Sequence, residues 1–255
     1  MAAVQRFSSF MGDPRAVTLT AIALVCLPLW WLMAMMPQMA VPEGWSVGIA
    51  VSTSVMWIVM MLAMMLPSMA PVMSVYAGLA AKEHRGAVLA LRILSFFGGY
   101  FALWAAVSVA LAFVQLGLRD SAYFTLGGTQ ATPLAAGGLL IAAGVYQMTP
   151  IKDLCLEHCR SPMAFLLSHW REGLRGAFPM GLRHGLYCVG CCIAIMGLMF
   201  VLGAMNPWWM AVIAAYFVAE KLLPAAEQWT RGVGVALILL GSVVILAALT
   251  GMEMT

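Results

Sequence analysis

The 38 residues from Gly44 to Ala81 contain no Asp, Glu, Lys or Arg. About 20 apolar residues in a helix cross the hydrocarbon core of a bilayer, so this stretch alone is long enough to span one. Charge-poor stretches recur at residues 16–42, 93–118, 121–151, 184–219 and 232–252. Across the chain 9% of residues are charged, against roughly 25% in an ordinary soluble domain. These runs predict an all-α, polytopic transmembrane bundle forming a single integral membrane domain over residues 1–255. Seven spans are expected, at about 17–36, 50–78, 90–116, 131–148, 184–204, 208–223 and 231–251. The second carries Pro67 and Pro71, each of which removes a backbone donor, so a kink or break is expected there.

The basic residues give these spans a direction. If they alternate, Arg6, Arg15, Lys82, Arg85, Arg92, Lys152, Arg160, Arg171, Arg175, Arg183, Lys221 and Arg231 share one side, and Arg119 stands alone on the other. Lys and Arg accumulate on the cytoplasmic side of membrane proteins. The expectation is therefore N-inside, C-outside. Trp30, Trp31, Trp45, Trp208 and Trp209 then mark the outer interface. The net charge of +3 is too mild to suggest a nucleic-acid partner.

Between the fourth and fifth spans runs a cytosolic connection, 149–183. Thr149-Pro150 and Ser161-Pro162 are helix starts, each a capping residue followed by proline at the first helical position. They predict helices at about 150–159 and 162–175, the second lying on the membrane surface with Met163, Leu166, Leu167, Trp170 and Leu174 as its apolar stripe. Gly173, Gly176, Gly181 and Gly185 follow, allowing a turn and close helix packing.

Five of the six cysteines fall in two groups at the cytosolic end. CLEHC supplies Cys155, His158 and Cys159; HGLYCVGCC supplies His184, Cys188, Cys191 and Cys192. Steps of three and four put helical side chains on one face. Thiols on an inside surface stay reduced, which points away from structural disulfides and toward metal or redox chemistry. Thiolate and thioether ligands select Cu(I), zinc or iron–sulfur clusters. Cys26, alone in the first span, reads as core.

The methionines bear on the choice of metal. There are 22, and Met56, Met60 and Met64 form one column on the second span while Met61, Met65, Met69 and Met73 form another. A related ladder runs His184, Cys188, Cys192, Met196. Methionine fills cores adaptably, but stacked thioethers beside a thiol cluster suit Cu(I) more than zinc. Met33, Met36, Met39, Met205 and Met210 lie toward the other face. Glu220-Lys221, near the end of the sixth span, reads as a pair whose lysine snorkels to the surface.

MMLAMMLPSMAP at 60–71, YQMTPIKDLCLEHCRSP at 146–162, GLRHGLYCVGCC at 181–192 and AEK at 219–221 together resemble a bacterial family of unknown function described as predicted metal-binding integral membrane proteins, some of them copper chaperones. The resemblance covers the chain from about residue 50 onward. It implies a multi-pass protein of the bacterial inner membrane that binds a soft metal, copper foremost. The resulting expectation is Cu(I) bound by Cys155, Cys159, Cys188, Cys191, Cys192, His158 and His184 with Met61, Met65, Met69, Met73 and Met196, for delivery, storage or translocation. Its partners would be the bilayer, the metal ion and a soluble metal donor or acceptor. The alternative is an enzyme, a membrane thiol–disulfide oxidoreductase using Cys188/Cys191 and Cys155/Cys159. A third reading is a structural zinc site.

Overall fold

A computed structural model describes residues 13–35, 45–119, 121–125, 130–203, 206–223 and 226–250. Met36, Met39, Met205 and Arg6 lie outside the described residues. Ten helices follow in order among the described residues: α1 Pro14–Met35, α2 Val47–Glu83, α3 Gly86–Leu118, α4 Pro133–Gln147, α5 Pro150–Arg160, α6 Pro162–His169, α7 Gly173–Gly197, α8 Met199–Leu202, α9 Pro207–Leu222 and α10 Ala226–Thr250. Phe124–Thr125 and Gln130–Ala131 form a two-residue antiparallel pairing between α3 and α4.

Each of the seven expected segments contains a helix among the described residues. Five helical stretches are long and apolar enough to cross a membrane: α1, α2, α3, the run Gly173–Leu202 and α10. The pair α4 and α5, bent by 65° at its break, adds a sixth if counted as one span. α4 has 15 residues and α9 has 16, short of the roughly 20 that a straight crossing takes.

Three expectations of element bounds need correction. α2 does not break: it runs as one helix of 37 residues through Pro67 and Pro71. Neighbouring helices pack around it and bury most of its length, and tertiary packing of this kind holds prolines inside membrane helices. The surface helix ends at His169, not at 175. The chain turns at Gly173, whose φ of +73° is open to glycine at no steric cost. There α7 begins, 11 residues before the expected start at His184.

α2 is the centre of the bundle. It packs on α1, α3 and α9, while α3 packs on α7, α5 on α7, and α4 on α10. Small residues permit the closest crossings. A methyl on Gly99 of α3 would collide with the Phe178 carbonyl of α7, and one on Gly181 of α7 with the Phe96 carbonyl of α3. Gly137 and Gly144 of α4 meet Gly241 and Gly234 of α10 in the same manner. Trp31, Trp45, Trp208 and Trp209 are exposed, but Trp30 turns inward and donates its indole N–H to the Ala63 carbonyl at 3.2 Å. Cys26 lies beside that same carbonyl, half-buried.

Candidate metal centre

Two elements bring the thiols together. α5 starts on Thr149, whose hydroxyl accepts from the Lys152 amide as an N-cap, with Pro150 at the first helical position. It buries Lys152, Leu156 and Cys159 along one face. That face lies on α7, which presents Cys188, Cys191 and Cys192, each no more than 1% exposed. Gly190 permits the contact, since a Cβ there would stand 2.5 Å from Cys155 Sγ.

The sulfurs of Cys159, Cys188 and Cys191 all lie within 4.8 Å of one another. Cys191 Sγ is 3.9 Å from Cys159 Sγ and 3.3 Å from Cys192 Sγ. Sulfurs no more than 4.8 Å apart are close enough to share one ion. Three converging soft donors in a water-excluded site fit Cu(I) or Zn(II) and are poorly suited to a hard cation.

Cys188 is the hub of the surroundings. Tyr100 Oη is 3.2 Å from its sulfur. Lys221 Nζ lies 3.3 Å from the same sulfur and 2.9 Å from Ser68 Oγ. Ser68 Oγ in turn sits 3.9 Å from Met65 Sδ. A chain of polar contacts thus runs from the thiol cluster to the methionine column of α2.

The remaining expected residues are spread around this triad. Cys155 is half-buried at its outer edge. His158 stacks on Tyr187 at 4.1 Å and pairs its Nδ1 with the Leu154 carbonyl at 2.8 Å, outside the triad. His184 is buried among Phe165, Tyr100 and Phe96, with Nδ1 lacking a hydrogen-bond partner among the described residues. Met61, Met65, Met69, Met73 and Met196 are all buried in the common core.

Lys221 departs from expectation. It does not snorkel; it is 7% exposed and points into the thiols. Glu220 is fully buried and pairs with Lys152 of α5 at 2.6 Å. Sequence reasoning also missed Tyr100 and Ser68. The one signal for the charged pair was two ionisable residues closing an apolar segment, which are functional candidates by default. A family model described as copper chaperone (PpoB2) matches residues 54–244. The chain belongs to this copper chaperone family. The match spans α2 to most of α10 and contains all five clustered cysteines and the methionine columns. No curated protein and no solved structure gives a significant match.

Proposed function

We propose that this copper chaperone family member binds Cu(I) through the thiol triad Cys159, Cys188 and Cys191, within the membrane domain, and hands it on. The observation that carries the reading is the convergence of three buried sulfurs from two helices within 4.8 Å. Cys192 stands by as a fourth sulfur and Cys155 as the outermost. Metal-bound thiolates are anionic, and the Lys221 ammonium beside Cys188 is placed to offset that charge. The buried Met61, Met65, Met69 and Met73 column supports copper over zinc, because thioethers are ligands for Cu(I). We further read the basic end as cytosolic in a bacterial inner membrane, so that capture occurs from inside, from a soluble donor or toward a soluble acceptor.

The test is anaerobic. The reduced, purified chain is titrated with Cu(I) against a chelator, and separately with Zn(II), beside a variant with Cys188, Cys191 and Cys192 all changed to Ser. The reading expects Cu(I) to displace Zn(II), and the variant to lose at least about a hundredfold in Cu(I) affinity, ~2.7 kcal/mol. Zinc that resists Cu(I) would make the site a zinc staple. Weak binding of both metals, with a reversible disulfide appearing among the same cysteines, would move thiol exchange to the front.

A further inference from the structure

The Lys152–Glu220 pair joins α5 to α9 at the thiol end of the bundle. Both side chains are fully buried. Glu220 Oε1 receives three donors: Lys152 Nζ at 2.6 Å, Tyr216 Oη at 2.6 Å and Thr230 Oγ1 at 2.8 Å. Gln147 Nε2 donates to Tyr216 Oη at 2.7 Å. α4, α5, α9 and α10 therefore meet on one carboxylate.

α5 is also held at its edges, by His158 on Tyr187, Arg160 on the Leu223 carbonyl and Asp153 beside Arg231, but Lys152–Glu220 is its fully buried ion pair among the described residues. The helix has 11 residues, fewer than an isolated helix needs to persist in water. Its buried apolar anchor is Leu156, beside Cys159; Ile151 and Leu154 are exposed. Lys152, Leu156 and Cys159 lie four and then three residues apart, on one face. Removing one partner of a buried ion pair leaves an uncompensated charge, which is relieved by neutralising the remaining group, letting in water or moving the helix.

Resting on the metal-site reading, we propose that Lys152 and Glu220 are positioning residues: they latch α5 so that Cys159 completes the triad. Cys188 and Cys191 both come from α7 and stay in place without the latch. Cys159 is the sulfur supplied from outside that helix, and it is the one the latch controls.

The test uses the full chain in lipid nanodiscs, first without metal. Chains carrying Cys159 as the sole cysteine are alkylated with a water-soluble maleimide. Lys152→Met and Glu220→Gln are expected to raise the Cys159 rate at least tenfold, and Glu220→Asp to stay within twofold of the parent. Chains carrying only Cys192, on α7, are expected to remain protected in every background. In the background with all cysteines, Glu220→Gln is expected to weaken Cu(I) binding tenfold, and adding Cys159→Ser is expected to cause no further loss, as residues acting through one another are non-additive. If Glu220→Gln fails to purify, Thr230→Val removes a single donor, and an intermediate Cys159 rate is expected. An unchanged Cys159 rate overturns the latch whatever the metal does. A rise at Cys192 of equal size overturns it too, as general loosening. A rise at Cys159 alone in a chain that binds no copper leaves the latch standing and removes the metal reading.

Discussion

At the scale of single residues, Cys188 and Cys192 separate the hub from the bystander. Cys188 touches Tyr100 and Lys221 and belongs to the triad; Cys192 is equally buried and lies 3.3 Å from Cys191 Sγ, but stands outside the triad. Cys188→Ser is therefore expected to weaken Cu(I) binding at least about tenfold, ~1.4 kcal/mol, and Cys192→Ser by less than half that energy, both read by chelator competition. Gly190→Ala is a steric counterpart. Its Cβ would press on Cys155 Sγ at 2.5 Å, a side-chain tip that can turn aside, so the cost should sit at the low end of overpacking, about 1 kcal/mol. Thermal unfolding should show that loss in the parent, and a Cys155→Ala background should recover most of it. The cysteines were legible because spacing alone put them on shared faces. Lys221 was not, because its direction depends on where α9 sits relative to α7 and α2, and no local pattern encodes that.

At the scale of elements, hydropathy located a helix in each expected segment, five or six of them long and apolar enough to cross a membrane, since a long uncharged run leaves the backbone no partner other than itself. Ends were harder. The stretch 176–183, with Gly176, Gly181 and Arg183, read as a turn into the fifth span, but glycines on α7 and α3 let the two backbones approach and extend the helix. The glycine pairing between α4 and α10 has the same origin and was invisible in one sequence, because it depends on which helices become neighbours. Gly181 carries a sharp expectation. A side chain there meets backbone rather than a movable side-chain tip. Gly181→Ala should destabilise the protein by about 1–3 kcal/mol, seen as a lowered Tm, whereas Gly98→Ala, with nothing within 4 Å of its Cβ position, should be close to neutral.

At the scale of the whole molecule, the account joins a membrane bundle, a thiol triad at its basic end and thioethers buried along its central helix. The proposed orientation, with the basic end inside, is checked by impermeant thiol labelling in intact cells. Ser121→Cys, between α3 and α4, should be labelled from outside, and Ser161→Cys, between α5 and α6, only after permeabilisation. The methionines divide capture from passage. Replacing Met61, Met65 and Met69 together with Leu keeps volume and hydrophobicity nearly constant, so it should leave the triad's affinity within about threefold, ~0.7 kcal/mol, while slowing copper transfer to an external chelator.

The central claim is that Cys159, Cys188 and Cys191 share one soft metal ion. X-ray absorption at the copper edge of the Cu(I)-loaded chain tests it most directly. The account predicts a first shell of sulfur alone, three atoms, falling in Cys188→Ser. A shell dominated by nitrogen or oxygen, or a sulfur shell that Cys188→Ser leaves intact, would contradict it.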